Sequence, residues 1–320
     1  MQRRSLVSLA AAGVAAAGVR GGVAQERYPS RPITLIVGFA AGGNGDITIR
    51  YLANALKDRF GVPVVVENRP GAGGALAAER TARARPDGYT FSMYTASPFV
   101  VEPVMRSAPY DPANDFTYVV QYLITPQAAF VLSSSRFRTW QDVIDFARAN
   151  PDRFRWATAA ARGGPYIATE AAFRKEGLST IVASYNGGAP AVAALLAGDI
   201  DMVVSPDYPP LLDAGQVRLL AEIGPERVRG LENVPTFGEL GYPLTLQVNL
   251  GLVGPAGLPP EVVRMWEDGV REVTATAEWE ALMVRLRAVT SYLPSAPFTQ
   301  RVLDTYREMA PAVERLGLKG

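Results

Sequence analysis

From Ile33 onward two hydrophobic patterns alternate along the chain. Short runs of consecutive apolar, often β-branched residues predict buried strands. Longer stretches whose apolar residues recur every three to four positions predict helices with one packed face. Ile33–Val37 is a run of the first kind, followed by a small-residue loop, Gly38–Gly45. Asp46 then opens a helical pattern with Ile47, Tyr51, Leu52, Ala55 and Leu56 near one face, closed by Gly61. Strand Val64–Glu67, turn Asn68–Gly74, helix Ala75–Ala84, turn Asp87-Gly88 and strand Tyr89–Tyr94 continue the alternation. Strands and helices alternating at this pitch predict an α/β fold with a mainly parallel sheet and crossover helices.

The middle of the chain repeats the theme. Phe116–Leu123, Gln127–Leu132, Arg155–Thr158, Ile181–Ala183, Asp201–Val204 and Val217–Ile223 read as strands. Trp140–Ala149, Tyr166–Glu176 and Ala189–Ala197 read as helices, the first capped by Thr139, whose hydroxyl can accept from a free N–H of the first turn. After strand Leu246–Val253, Pro259-Pro260 starts a helix to Val273; helix Glu278–Arg287 and strand Val289–Leu293 follow. Ser295 is expected to cap a last amphipathic helix bearing Phe298, Val302, Tyr306, Met309, Val313 and Leu316. At 320 residues the pattern fits two lobes.

The first residues differ. Two arginines within Met1–Arg4, an uncharged small-apolar stretch Ser5–Val19, and Gly22-Val23-Ala24 ahead of Gln25 follow the order of a secretory signal, with residues 1–24 removed. Arg3-Arg4 fits either the general or the twin-arginine export route. The stretch is short of the ~20 apolar residues of a membrane span. Cleavage removes three arginines and no acid, leaving 29 basic against 31 acidic residues, a net −2. The expectation is a soluble exported protein of the periplasm, monomeric, with no basic footprint for nucleic acid.

Composition narrows the chemistry. With no cysteine and no histidine, the chain has no disulfides, no thiolate nucleophile, no Ser-His-Asp triad and no Cys or His metal cluster. No cofactor and no metal are expected. Phe39-Ala-Ala-Gly-Gly-Asn-Gly-Asp46 lies between a predicted strand and helix, where free N–H donors and the helix dipole suit an anion. It lacks the Gly-Lys-Ser/Thr of a phosphate-binding P-loop. Gly43-x-Gly45 with Glu67 at the end of the next strand approaches a dinucleotide fingerprint, but Thr48 stands at the third glycine position. A loop for a small carboxylate and a plain tight turn are the other readings. Asp199 with Asp201 could be paired catalytic carboxylates or surface acids; Asp111, Asn114 and Asp115 fall short of a calcium loop.

Several motifs together resemble one family. Tyr28-Pro-Ser-Arg-Pro32, Ile36-Val-Gly-Phe39-Ala-Ala-Gly-Gly43 with Asp46, Val65-Val-Glu-Asn-Arg-Pro-Gly-Ala-Gly-Gly74, Pro86-Asp-Gly-Tyr-Thr90, Tyr110-Asp-Pro112 with Asp115-Phe116, Gly187–Gly198 with Asp201, and Val234-Pro-Thr236 occur in register with the Bug (TctC-type) solute receptors of tripartite tricarboxylate transporters. The resemblance spans the mature chain. It implies a two-lobed, type II Venus-flytrap binding protein, not an enzyme, that captures a small organic carboxylate and delivers it to membrane permease subunits. A ligand-sensing receptor for a signalling partner and an exported carboxylate-dependent enzyme are the alternatives. Lobe 1 would comprise residues 25–124 and 246–320, and lobe 2 residues 125–245.

By the same resemblance, backbone N–H groups of two first-lobe loops grip a carboxylate. Here these map to Phe39, Ala40, Ala41, Gly42, Gly43 and Asp46, and to Thr95, Ala96 and Ser97. Opposite them stand the loop from Thr158 through Arg162 and Gly163 to Tyr166, and Ser205 at a strand end. The chain departs from the family where Asn44-Gly45 replaces a segment that usually places threonine before the aspartate, where Tyr166 takes a position often held by histidine, and where Arg162 replaces a small residue. Around Ser205–Asp207 it is about two residues shorter than the family pattern. Arg162 is expected to pair with a second acidic group of the ligand, since its planar fork matches a carboxylate. Tyr166 has two readings, stacking on an aromatic acid or packing under its helix. Asp46 is expected to cap its helix and order the loop rather than touch the ligand.

Overall fold

The computed structural model describes residues 28–160, 163–228, 230–315 and 317. The signal read at 1–24 and Arg162 lie outside the described residues. In chain order the strands are β1 (Ile33–Val37), β2 (Val64–Asn68), β3 (Thr90–Tyr94), β4 (Phe116–Thr125), β5 (Ala128–Leu132), β6 (Arg155–Thr158), β7 (Ile181–Ser184), β8 (Met202–Ser205), β9 (Val217–Glu222), β10 (Val248–Pro255) and β11 (Val289–Pro294). The helices are α1 (Asn44–Phe60), α2 (Ala75–Ala82), α3 (Glu102–Met105), α4 (Trp140–Ala149), α5 (Gly164–Lys175), α6 (Gly188–Ala197), α7 (Pro209–Asp213), α8 (Pro260–Thr274), α9 (Ala277–Leu286) and α10 (Ser295–Arg315).

Two sheets organise the α/β fold, one ordered β11-β4-β10-β3-β1-β2 and the other β7-β6-β8-β5-β9. The first draws on both ends of the described chain and the second on its middle. Each sheet is mixed rather than mainly parallel. β1 runs parallel to β2 and β3, but β10 runs antiparallel to β3 and β4, and β11 antiparallel to β4. In the second sheet β6 is parallel to β7 and β8, while β5 is antiparallel to β8 and β9. The reason is connectivity. β4 carries the chain out of the first sheet and β10 brings it back, so the two run in opposite directions and pair from Val248↔Thr125 to Pro255↔Phe116.

Local signals explain most boundaries. Thr139 and Asp142 form a reciprocal capping box at the start of α4. Gly61 ends α1 in the left-handed conformation at φ 69°. α8 buries Val262, Trp266, Val270 and Val273 at helical spacing, and Trp266 packs between Phe60 and Phe91 with centroids 4.9 Å from each. Burying its side chain contributes roughly 2–3 kcal/mol of transfer free energy. Gly269 permits the close approach of α8 to α1, because a Cβ there would lie 2.7 Å from Leu56 Cδ2. A further apolar cluster runs through both lobes, from Tyr94 and Phe298 to Trp140, Phe154 and Phe173.

Four readings need correction. α1 begins at Asn44 with Gly43 as N-cap, so Asp46 lies within the first turn and does not cap the helix. α5 begins at Gly164, its first turn fixed by Pro165. Pro209-Pro210 starts a short helix, α7, that the pattern did not suggest. Ser295 opens α10, but its hydroxyl donates to the Tyr118 carbonyl at 2.7 Å instead of capping.

Candidate functional site

A cavity of about 90 Å³ lies between the two lobes, at the carboxyl ends of β1, β3, β6, β7 and β8. This is where ligands bind in open α/β sheets, because strand-to-helix loops gather there. Of the residues expected from the sequence, Phe39, Ala40, Gly43, Asp46, Thr95 and Ser97 line it. Ala41, Gly42, Ala96, Thr158, Gly163, Tyr166 and Ser205 are not among its lining residues, and Ala41 and Gly42 are exposed.

The β1–α1 loop is held by Asp46. Its buried carboxylate accepts from the Gly42 N–H at 3.0 Å, from Arg50 Nε at 3.0 Å and from Asn68 Nδ2 at 2.8 Å. Burial opposes its ionisation, yet the hydrogen bonds from Arg50, Gly42 and Asn68 outweigh this and hold the carboxyl below its ordinary range. Asn68, at the end of β2, also donates to the Phe39 carbonyl at 3.1 Å. Asp46 therefore orders the loop from within, with its charge spent on these partners.

The lobes touch across the cavity through polar contacts. Asn44 N–H donates to Asp207 Oδ1 at 2.7 Å, and Asn44 Nδ2 donates to the Pro206 carbonyl at 3.1 Å. Ala40 N–H donates to the Asn186 carbonyl at 2.9 Å, so this first-lobe donor is already engaged. Ser97 Oγ accepts from Gly164 N–H at 3.2 Å, at the start of α5. Burial raises the Asp207 carboxyl above its ordinary value, against hydrogen bonds from Asn44 N–H and Ser205. A Cβ at Gly188 would fall on Asp207 Oδ2, so only glycine lets α6 approach this carboxylate so closely.

On the second-lobe side the hydroxyl of Thr158 is spent within its own loop, donating to the Ala160 carbonyl at 2.7 Å. Gly163 is the N-cap of α5. Tyr166 stacks on Trp156 at 5.9 Å with ring planes 9° apart, which favours the packing reading. Ser205 Oγ accepts from Asp207 N–H at 3.2 Å and so shapes the turn that presents Asp207.

Sequence reasoning missed Asn44, Thr125, Gln127, Gly188, Pro206 and Asp207, all of which line the cavity. A polar residue inside the glycine loop and an acid just after a strand end were the available signals. The rival motifs disperse. Glu67 lies outside the cavity lining and pairs with Arg69 and Arg80. Asp201 accepts from Arg155 N–H at 2.8 Å, and Asp111, Asn114 and Asp115 bond to one another in a turn before β4. Among the described residues no group of three or more acids could hold a metal ion, and no helix is long and apolar enough to cross a membrane.

A family model described as tripartite tricarboxylate transporter family receptor matches residues 48–318. A protein in the gbd 5′ region of Cupriavidus necator is 31% identical over 324 residues, covering 99% of each chain. The solved structure of the periplasmic binding protein BugD superposes with a TM-score of 0.85 at 26% identity, covering 91% of this chain and 99% of that one. R. palustris Rpa4515 with adipate superposes with a TM-score of 0.83 at 27% identity, covering 91% and 98%. The chain therefore belongs to the tripartite tricarboxylate transporter receptor family, as a two-lobed solute receptor of the periplasmic binding protein type and not an enzyme.

Proposed function

We propose that the protein captures a small carboxylate-bearing metabolite in the interlobe cavity and hands it to the membrane permease subunits of a tripartite tricarboxylate transporter. On this reading residues 1–24 direct export to the periplasm, and the mature monomer closes residues 25–124 and 246–320 against residues 125–245. The observation that carries it is the convergence of helix starts on one cavity: α1 at Asn44, the helical segment from Ser97, α5 at Gly164 and α6 at Gly188. The positive ends of helix dipoles favour an anion there, although the Asn44 and Gly164 N–H groups are engaged across the lobes by Asp207 and Ser97. Adipate in a relative of the same fold supports a carboxylate.

The first-lobe grip falls to Gly43 and to Thr95–Ser97, and the second lobe closes the far side with Ala160 and Pro165. A thermal-shift screen of aliphatic, aromatic and amino-bearing carboxylates tests this, because a ligand bound only by the folded state raises the melting temperature. At least one carboxylate should raise it in a concentration-dependent way and be recovered unchanged. Silence across the whole panel, or conversion of the compound, would overturn the proposal.

A further inference from the structure

The buried side-chain atoms of the cavity residues that lack a hydrogen-bond partner are oxygens able to accept. Asn44 is 5% exposed, and its amide is oriented by the bond from Nδ2 to the Pro206 carbonyl. Its other end, Oδ1, is buried with no hydrogen-bond partner. Thr125, 3% exposed and also lining the cavity, has its Oγ1 buried and unpartnered as well. Among the described residues Asp207 has no ion-pair partner, and no lysine or arginine lines the cavity. The Asn44 N–H to Asp207 Oδ1 distance of 2.7 Å places these two residues side by side.

An amide oxygen and an ionised carboxylate can only accept, whereas a hydroxyl does either. A buried acceptor left unsatisfied is costly, and a buried carboxylate without a cation more so. A second ligand carboxylate placed beside Asp207 would meet like charge. A primary ammonium would instead find a countercharge in Asp207, with Asn44 Oδ1 and Thr125 Oγ1 as the cavity residues' unsatisfied acceptors. Burial raises the Asp207 carboxyl, and an adjacent cation would oppose that shift.

We propose that the ligand is an amino-bearing carboxylate, with Asp207 as the counter-ion of its ammonium, Asn44 Oδ1 and Thr125 Oγ1 as further acceptors, and Asp207 as the residue that sets this specificity. The inference rests on the carboxylate-receptor reading and deepens it.

Calorimetry with carbon-matched pairs tests it: L-alanine against propionate, L-glutamate against glutarate, and 4-aminobutanoate against butanoate. In the wild type the tightest binder should be an amino compound, preferred over its des-amino partner by about tenfold or more. Asp207→Asn should cut that preference by about tenfold while leaving the melting temperature of the empty protein nearly unchanged. Thr125→Val, a near-isosteric change, should cut it by about threefold. Des-amino acids binding as tightly as their amino partners, or an amino preference retained in Asp207→Asn, would overturn the inference and leave the carboxylate receptor standing. No binding by either member of any pair would overturn the inference, and silence across the thermal-shift panel as well would overturn both.

Discussion

The carboxylate of Asp207 accepts a hydrogen bond from the backbone N–H of Asn44 at 2.7 Å, tying a second-lobe turn to the first residue of α1. The contact joins residues 163 positions apart in sequence and closes one side of the cavity. Hydrogen bonds to ionised acceptors contribute roughly 1.5–3 kcal/mol. Asp207→Ala should therefore shift the ligand-free protein toward the open form. Small-angle scattering would show a larger radius of gyration for the variant than for the wild type. Identical scattering would mean that the tie does not hold the lobes.

Asp46 orders the glycine loop through Arg50, Gly42 and Asn68. Asp46→Asn should lower stability by about 1–3 kcal/mol and weaken ligand binding modestly, with the order of preference among ligands unchanged. Its carboxyl is held below the ordinary range, so its contribution is present above the unfolded value near 3.8 and is lost as pH falls through the lower folded value. Denaturant titrations at neutral and acid pH check both points. A gain in carboxylate affinity in the variant would instead indicate direct repulsion between Asp46 and the ligand.

Gly188 gives Asp207 its place. In Gly188→Ala the new Cβ must displace the Asp207 carboxylate or α6. Ligand affinity should fall by about tenfold or more, with a stability change under about 1 kcal/mol, since alanine is the better helix former. Unchanged affinity would show that this corner of the cavity does not contact the ligand.

Glu222 ends β9 and accepts from Gln127 N–H at 3.1 Å and Gly224 N–H at 2.6 Å. Burial pushes its carboxyl up to about 7, against those two hydrogen bonds. The folded state thus holds a proton that the unfolded state releases near 4.5. Its contribution is fully present below pH 4.5 and is lost as pH rises through about 7. At 1.36 kcal/mol per pKa unit the loss is on the order of 3 kcal/mol. Unfolding free energies of wild type and Glu222→Gln across this range check it. The wild-type curve should fall relative to the variant between these pH values, and parallel curves would contradict it.

The sequence carried those features whose causes are local. The apolar run Ile33–Val37, the Thr139 N-cap and the Gly61 stop each depend on a few neighbouring residues, and each stands where the pattern put it. Strand direction was not legible, because β4 and β10 pair across more than a hundred residues and hydrophobic period carries no sign of direction. The same holds for the cavity. The glycine loop was visible as a donor site ahead of a predicted helix, and Ser97 followed from the family resemblance. Asp207, Asn44 and Thr125 acquire their meaning only when the lobes meet. Tyr166 marked a change in sequence, but the ring it meets is Trp156, on the neighbouring strand. The one residue offered for a second acidic group, Arg162, lies outside the described residues.

The most direct test of the receptor account is a crystal structure of the protein loaded with the tightest carboxylate from the binding screen. The account predicts lobes closed on the compound in the cavity between Ser97 and Pro165, with a carboxylate on the backbone N–H groups of Thr95–Ser97. Ligand density outside this cavity, or a carboxylate turned away from both first-lobe loops, would contradict it.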